Sequence, residues 1–248
     1  MVSKNQAKFI KSLKIKKYRN KERCFLVEGR KNVLELIKSD FEVKWIVCTS
    51  AFASSNQDHL VNVPNDNILI ASSSILTDLG TFSSNQDCLA VAAMRDRPIS
   101  ELKINNHLVV LDGVGDPGNL GTIIRTLDWF GLGELVCSTD TAEFYNPKVI
   151  NATMGSFSRL KVYYTDIHSF LEKNNNVKIL GADMGGADIS NMKFDDPSII
   201  VMGSESHGIS KSVLSLLNQK IAVPGSGTAE SLNVAMATGI IAYQFTRV

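Results

Sequence analysis

Apolar and polar positions alternate along the first third of the chain in short blocks that are typical of strands and amphipathic helices. The apolar runs are Cys24–Val27, the stretch around Val33–Ile37, Val43–Cys48, Ile68–Ala71 and Leu89–Ala93. Their spacing predicts a compact α/β domain over residues 1–97. A polar, charged stretch that contains Pro98 follows, and it predicts a linker over residues 98–106.

Beyond residue 107 the pattern becomes more regular, with apolar runs that suit buried parallel strands. These runs are Leu108–Leu111, Leu135–Ser138, Val162–Tyr164, Ile179–Gly181, Ile199–Met202 and Ile221–Val223. Helical periodicity separates several of them, most clearly over Asn119–Phe130 and Ser231–Gln244. The pattern predicts a doubly wound α/β domain over residues 107–248, with its ligand beyond the carboxyl ends of the strands.

Composition narrows the class of protein. The chain has 248 residues, of which 44% are hydrophobic, enough for two domains with substantial cores. It lacks an apolar run long enough for a membrane span, and its start lacks the core of a signal peptide, so we expect a cytoplasmic protein without a membrane partner. Four scattered cysteines without a C-x-x-C pair predict neither disulfides nor a metal site.

Charge is distributed unevenly although the whole chain carries only +1. Residues 1–31 hold eleven Lys or Arg and two Glu, a local net charge of +9 that leaves −8 for the remainder. Such a block indicates either a polyanion partner or a solvated, partly disordered tail. Helical spacing of Ala7, Ile10 and Leu13, with Tyr18 inside the basic run, favours RNA. The candidate RNA contacts are Lys14, Lys16, Lys17, Arg19, Lys21, Arg23 and Arg30.

A glycine-rich loop follows the first strand of the second domain. It contains G-x-G-x-x-G at Gly113, Gly115 and Gly118, and Asp140 follows the next strand, so an NAD-binding Rossmann dehydrogenase must be considered. Pro117 counts against that interpretation, because it stiffens the turn and removes an N–H donor where a pyrophosphate would bind.

The helix after this loop places its apolar residues on one side. Leu120, Ile124, Leu127 and Phe130 form a stripe that faces the core, which leaves Arg125 on the other side. An arginine in that place is either solvated or binds a phosphate or carboxylate through its planar guanidinium.

Two later loops also carry candidate chemistry. Gly203 and Gly208 flank Glu205 in a turn directly after a buried strand, although such a turn also occurs without function. In the third loop, Ser231 is the predicted N-cap of a helix that is apolar almost all round. Asn233 inside that helix is therefore either a structural clamp or a ligand contact.

Taken in order, the three loops resemble the signature motifs of the SpoU family of RNA ribose methyltransferases, in the SPOUT superfamily. The motifs are Asn119-x-Gly121-x-x-x-Arg125, Gly203-Ser-Glu205-x-x-Gly208, and Pro224 followed by Glu230-Ser-Leu-Asn-Val-Ala235. The first third resembles, more loosely, the substrate-binding domain of many members, around Phe25–Gly29. Ser204 and Leu127 depart from the residues that are common in the family.

The resemblance implies an S-adenosylmethionine-dependent enzyme that methylates a ribose 2′-hydroxyl in structured RNA, with rRNA favoured over tRNA. It also implies a deep trefoil knot and a homodimer with active sites near the subunit interface. The implied catalytic residues are Asn119, Arg125, Glu205, Ser231 and Asn233. The implied cofactor-binding residues are Met184, Met202, Gly203, Ile221, Pro224 and Leu232.

The role of Arg125 needs a physical restriction, because an arginine side chain keeps its proton at any pH that the protein meets. We therefore expect Arg125 to position an RNA phosphate and to stabilise developing negative charge rather than to remove a proton. A non-catalytic RNA-binding homologue is the alternative, and the five intact catalytic positions argue against it. A dehydrogenase would differ by binding NAD and ignoring S-adenosylmethionine.

Overall fold

The structure is a computed structural model that describes residues 1–247. The first part of the chain contains α1 (Lys4–Ser12), α2 (Lys16–Glu22), β1 (Cys24–Glu28), α3 (Arg30–Lys38), β2 (Val43–Cys48), α4 (Ser50–Ser55), α5 (Gln57–Leu60), β3 (Ile68–Ile70), α6 (Ser73–Leu79) and β4 (Cys88–Ala93). The second part contains β5 (Leu108–Asp112), α7 (Pro117–Trp129), β6 (Glu134–Ser138), α8 (Pro147–Ala152), β7 (Lys161–Thr165), α9 (Ile167–Lys173), β8 (Lys178–Asp188), β9 (Ser198–Gly203), α10 (Lys211–Leu214), β10 (Gln219–Ala222) and α11 (Val234–Phe245).

Contacts within the chain form two compact units. The first unit comprises Met1–Asp96 together with Glu143–Arg159, and the second comprises Arg97–Ala142 with the chain from Leu160 onward. The segment that contains α8 therefore packs with the first unit, although the sequence pattern places it in the C-terminal domain. In the first unit α8 contacts β1.

The first unit is built on a four-stranded sheet in the order β1-β4-β2-β3. β4 pairs antiparallel with β1 and β2, and β2 pairs parallel with β3. Ile10 and Leu13 are fully buried and pack in the same core as Leu26 and Val91. The basic N-terminal segment is thus part of a folded core, so the alternative of a partly disordered tail is wrong.

Arg19 requires a correction to the list of RNA contacts. Its side chain is only 2% exposed, and it donates hydrogen bonds to the carbonyl oxygens of Leu13 at 2.9 Å and Lys14 at 3.0 Å. Its Nε also donates to Glu143 Oε1 at 3.1 Å, and its Nη2 pairs with Oε2 of the same carboxylate. A guanidinium enclosed in this way cannot reach RNA, so Arg19 has a structural role.

The second unit is built on a six-stranded sheet in the order β10-β8-β9-β5-β6-β7, and every neighbouring pair is parallel. The predicted parallel α/β fold is confirmed. β5 lies in the middle, with Asp112 at its carboxyl end paired with Gly203 at the end of β9. Since parallel strands end at the same edge, the loops after β5 and β9 begin side by side.

The last helix begins later than the sequence predicts. Its N-cap is Asn233, whose Oδ1 accepts hydrogen bonds from the backbone N–H of Ala235 and Met236, so Ser231 is not the cap. The helix is also not buried all round, because Met236, Ile240 and Tyr243 are exposed. These three residues follow one another at helical spacing and form an apolar stripe on the surface.

Other expectations concern membranes, metals and thiols. Among residues 1–247, no helix is long and apolar enough to cross a membrane. Within the same residues, no group of three or more His, Cys, Asp or Glu could hold a metal ion. The four cysteines are free and buried. Burial raises the pKa of the Cys48 thiol to about 11, so it remains protonated and packs as a small apolar side chain.

Candidate active site

The first signature loop leaves β5 through a turn and enters α7. Gly113 lies in the left-handed region at φ 76° and its N–H donates to Ser138 Oγ at 2.9 Å. Asp116 is the N-cap of α7, and its Oδ1 accepts from the Asn119 N–H at 2.8 Å. With Pro117 at the first helical position, the cap fixes Asn119 in the first turn of the helix.

The second loop is a narrow turn that depends on Gly203. The Ser204 N–H donates to the Gly208 carbonyl at 3.0 Å, and the Gly208 N–H donates back at 2.9 Å. A Cβ at Gly203 would overlap the backbone of Gly208 and Ile209, which cannot move without opening the turn. Glu205 lies exposed at the tip of this turn.

A carboxylate that sequence reasoning missed joins the first two loops. Asp112, the last residue of β5, accepts a hydrogen bond from the Ser210 N–H through Oδ2 at 2.7 Å. An acidic residue at the end of an otherwise apolar strand was the available signal. Its partner is 98 residues away in sequence, and only the register of β5 against β9 brings the two together.

Three candidate catalytic residues lie in one hydrogen-bonded row, which we call the polar bridge: Asn233, Asn119 and Glu205. Asn233 Nδ2 donates to Asn119 Oδ1 at 3.0 Å, and Asn119 Nδ2 donates to Glu205 Oε1. Because Asn233 Oδ1 caps α11, its amide can present only nitrogen to Asn119. Asn119 must then accept from Asn233 through Oδ1 and donate to the carboxylate through Nδ2. The orientations of both amides are therefore determined.

The other two catalytic candidates do not join the polar bridge. Ser231 is exposed, two residues before the α11 cap, and makes no hydrogen bond within residues 1–247. Arg125 is exposed on α7, six residues after Asn119. Six residues are about 240° of rotation and about 9 Å of rise, so the two side chains leave the helix in different directions.

The candidate cofactor residues lie along the same edge of the sheet. Met202 and Ile221 are buried in strands, whereas Pro224, Leu232 and Met184 are exposed. Gly181 of β8 pairs with Val201 of β9, so the residues after Gly181 begin at the level of Met202. Met202 and Ile221 therefore lie next to the carboxyl ends of β9 and β10, and Pro224 follows β10 by two residues.

Met184 is carried by a bulge between β8 and β10. Lys220 pairs with Gly181 but Ile221 pairs with Ala187, so residues 182–186 loop out. Asp183 holds the bulge: one carboxylate oxygen accepts from the Gly185 N–H at 2.9 Å and the other from Lys220 Nζ at 2.9 Å. Hydrogen bonding from Lys220 lowers the pKa of Asp183. No sequence pattern predicts this pair, because its two residues lie on different strands.

The candidate RNA contacts of the first unit differ in whether another side chain of the protein already binds them. Arg23 pairs with Asp96, Lys21 lies 3.6 Å from Glu22, and Arg30 donates to Asn56 Oδ1 at 3.2 Å. Lys14, Lys16 and Lys17 are exposed and form no ion pair within residues 1–247. Arg19 is buried, as described above.

Comparison with known families agrees with this arrangement. Residues 106–243 match the sequence model of the SpoU rRNA Methylase family. The chain belongs to this family. Residues 4–90 also match the MRM3-like substrate binding domain. Membership of the SpoU family overturns the alternative of an NAD-binding dehydrogenase, and the glycine fingerprint at Gly113, Gly115 and Gly118 lies in the loop that leads into the first signature motif.

Similar proteins align over nearly the whole chain. The 23S rRNA (guanosine(2553)-2'-O)-methyltransferase RlmP of Bacillus subtilis is 30% identical over 97% of this chain and 96% of its own. A structure described as an RNA methyltransferase of the TrmH family from Porphyromonas gingivalis has 33% identity and a TM-score of 0.86, covering 99% of this chain and 98% of that one. An AdoMet-bound rRNA methyltransferase from Sinorhizobium meliloti has 25% identity and a TM-score of 0.87, covering 98% and 95%. The alignments with two other curated relatives, a tRNA/rRNA methyltransferase of Synechocystis and a 23S rRNA (uridine(2479)-2'-O)-methyltransferase of Streptomyces viridochromogenes, cover about half of each relative's length.

Proposed function

We propose that this chain transfers a methyl group from S-adenosylmethionine to the 2′-hydroxyl of a ribose in RNA. The polar bridge carries the proposal, because it joins one residue of each signature motif at the carboxyl edge of the sheet. A non-catalytic RNA-binding homologue would have no use for a carboxylate that accepts from one amide while a second amide holds the first in place. The bridge therefore favours the enzyme over that alternative.

The residues of the bridge suit the chemical problem. When bound, S-adenosylmethionine supplies a methyl group on a positively charged sulfur. A ribose hydroxyl is a weak nucleophile, so the protein must align it and stabilise the loss of its proton. Asn119 occupies one oxygen of Glu205 and leaves the other to accept a hydrogen bond from the hydroxyl. Asn233 keeps Asn119 in place from the start of α11.

Arg125 acts through charge. It is exposed and lies off the apolar stripe of α7, where Leu120, Ile124 and Leu127 are buried. Its positively charged guanidinium binds an RNA phosphate and stabilises negative charge that develops on the ribose oxygen.

The residues at the carboxyl edge fit S-adenosylmethionine. Met184 is 71% exposed in its bulge, and Leu232 is exposed in the third loop. Apolar side chains left open beside strand ends suit the flat adenine base, while the backbone of Gly203 and Ile221 offers polar groups to the rest of the molecule. Met202 and Pro224 complete the proposed cofactor site. The Sinorhizobium meliloti relative, solved with AdoMet, supports this choice.

Ribosomal RNA is the proposed substrate. The Bacillus subtilis relative is named as a 23S rRNA 2′-O-methyltransferase and aligns over both units. The first unit includes the match to the MRM3-like substrate binding domain, and it carries the basic segment. A charge of +9 in residues 1–31 suits a phosphate-rich partner.

We further propose a homodimer that buries the exposed apolar stripe of α11. Trp129 at the end of α7 is 84% exposed, and Met236, Ile240 and Tyr243 are also exposed. α7 and α11 contact each other within the second unit, and the ring of Phe130, the residue after Trp129, lies 6.3 Å from that of Tyr243, so we infer one apolar surface. A soluble monomer rarely leaves such a surface open, and a second copy of the chain covers it by two-fold symmetry.

The trefoil knot remains a proposal based on the family. The path of the C-terminal segment is consistent with it. β10 pairs with β8 at one edge of the sheet, whereas α11 returns to contact β9 and α7 further inside.

The test of the function is methyl transfer to a 23S rRNA transcript from S-adenosylmethionine with a tritiated methyl group. We expect label at one nucleotide, resistant to alkaline cleavage on its 3′ side because the 2′-oxygen is blocked. Label on a base, or no transfer to any ribosomal RNA, would contradict the proposal.

Two variants of Asn233 separate catalysis from folding. Asn233→Ala loses both the helix cap and the bridge, and the cap alone is worth about 1 kcal/mol. Asn233→Ser keeps a capping hydroxyl but is too short to reach Asn119. We expect both variants to lose methyl transfer by about a hundredfold, but only the alanine variant to unfold at a lower urea concentration. Normal turnover by Asn233→Ser would exclude the bridge from the mechanism.

A further inference from the structure

The turn between α1 and α2, together with the start of α2, exposes apolar and aromatic surface among lysines. Ile15 is 55% exposed and Tyr18 is 39% exposed. Lys14, Lys16 and Lys17 alternate with them and are exposed as well. We call residues 14–18 the basic tip.

Buried residues on either side of the basic tip hold it in place. Leu13, immediately before it, is fully buried. The buried guanidinium of Arg19 donates to the carbonyl oxygens of Leu13 and Lys14, and its charge is balanced by Glu143. Burying an ion pair is costly unless its hydrogen bonds are well satisfied, as they are here. The hydrogen bonds of Arg19 thus hold the backbone of an exposed turn in one conformation. A fixed conformation suits a binding surface better than a spacer, because less conformational freedom is lost on binding.

The tip places three exposed lysines within four residues of one another. Three cations outside it are paired with acids, Lys11 with Asp78 at 2.7 Å, Lys21 with Glu22 and Arg23 with Asp96. Lys4, Lys8 and Lys31 are exposed without an ion pair within residues 1–247, but they are not clustered around an aromatic side chain in this way. The three lysines of the tip form no ion pair within residues 1–247. Cations that surround an exposed tyrosine match a nucleic acid whose phosphates lie beside an unstacked base.

We propose that the basic tip docks single-stranded nucleotides of the RNA substrate. Lys14, Lys16 and Lys17 contact phosphates, Tyr18 stacks on a base, and Ile15 packs beside that base. This inference rests on the proposed function for the identity of the polyanion. It assigns Arg19 to positioning the tip. An anionic membrane is the less fitting partner, because one exposed isoleucine provides little apolar area for insertion.

The first experiment measures binding of the full chain to a 23S rRNA transcript at several salt concentrations. In the triple variant Lys14→Gln, Lys16→Gln, Lys17→Gln we expect affinity about tenfold weaker or more, and a salt slope lower by roughly 2 to 3. The matched control replaces Lys103, Lys173 and Lys178, three exposed lysines of the second unit, with Gln. It makes the same change in net charge and should bind nearly normally. Equal affinity and equal salt slope for the tip variant and the wild type overturn the proposal.

A second experiment tests stacking at Tyr18. Tyr18→Phe keeps the ring and should bind RNA normally, whereas Tyr18→Leu keeps apolar bulk and should bind about tenfold more weakly. Photo-crosslinking to a transcript that contains 4-thiouridine should label the peptide that carries Tyr18. If Tyr18→Leu binds like Tyr18→Phe and no label falls on the tip, stacking is excluded.

The outcomes distinguish failure of the basic-tip proposal from failure of the proposed function. Loss of RNA binding by the tip variants supports the tip even if the wild type methylates no ribose. If the tip variants bind RNA and methylate ribose normally, the proposal for the basic tip is overturned while the proposed function stands. Sedimentation with phosphatidylglycerol vesicles gives the membrane outcome: vesicle binding that depends on the tip, with RNA binding unchanged, also overturns the proposal.

Discussion

At the scale of single residues, equal charges have unequal roles, and sequence composition does not separate them. Arg19 and Lys17 lie in the same basic run, yet Arg19 is buried and Lys17 is exposed. The partner that determines the fate of Arg19 is Glu143, 124 residues further along the chain. Helical periodicity correctly predicted that Arg125 would be exposed, because that property depends only on the spacing of its apolar neighbours.

Replacing Arg19 tests its structural role. Arg19→Met leaves the Glu143 carboxylate largely buried without its partner, and it removes two donors to backbone carbonyls. We expect the free energy of unfolding to fall by about 3–5 kcal/mol. Urea denaturation followed by circular dichroism measures the change, and Lys17→Met is the matched control, which should change stability little. Equal stability of the two variants would show that the ion pair contributes nothing.

His107 predicts a dependence of stability on pH. It lies among Phe194 and Phe245, and its Nδ1 is buried without a hydrogen-bond partner within residues 1–247. Burial lowers the pKa of His107 from its ordinary 6.5. The unfolded chain therefore binds a proton below pH 6.5 that the folded chain resists, so stability is full above that pH and declines as the pH falls below it.

The variant His107→Phe removes this titrating group while keeping an aromatic ring. When the pH is lowered from 7.5 to 5.5, the urea midpoint of the wild type should fall further than that of the variant. If both proteins lose the same stability between the two pH values, His107 is not responsible for the decline.

At the scale of elements, strands were predictable and the contacts between loops were not. Buried parallel strands read as apolar runs, and all six runs of the second unit are strands, with bounds that shift by a residue or more at the ends. The predicted start of α11 is wrong because Ser231 and Asn233 are both residue types that cap helices well. Asn233 also has a tertiary partner in Asn119, which sequence does not reveal. The bulge of residues 182–186 likewise depends on the register of β8 against β10.

Gly203 links the narrow second loop to the proposed cofactor site. Gly203→Ala places a Cβ against the backbone of Gly208 and Ile209, so it should open the turn and lower stability by about 1–3 kcal/mol. Gly115→Ala is the matched control, because a Cβ there meets no atom within 4 Å. Calorimetry should find S-adenosylmethionine binding weakened only in Gly203→Ala. Because the turn itself distorts, a stability change without any loss of binding would place the cofactor away from this loop.

At the scale of the whole molecule, the apolar pattern of α11 predicts burial inside one chain. Within the described residues part of that pattern is exposed instead, and Trp129 extends it along α7. Arg125 lies four residues before Trp129 and so shares its side of the helix. Arg125, one of the two catalytic candidates outside the polar bridge, thus lies beside the apolar surface proposed for contact with a second copy.

This placement predicts that each active site draws Arg125 from the partner subunit. Arg125→Ala and Glu205→Gln should each abolish most methyl transfer as homodimers, at a cost of about a hundredfold or more. A heterodimer of the two, purified through two different tags, then contains one site with both residues intact and one site with neither. Under two-fold symmetry it should recover about half of the wild-type activity. If Arg125 instead acts within its own subunit, both sites of the heterodimer lack a residue and activity stays absent. The control is Ile240→Lys, which places a charge in the apolar surface. It should elute as a monomer in size-exclusion chromatography with light scattering, and it should lose methyl transfer although the polar bridge is unchanged.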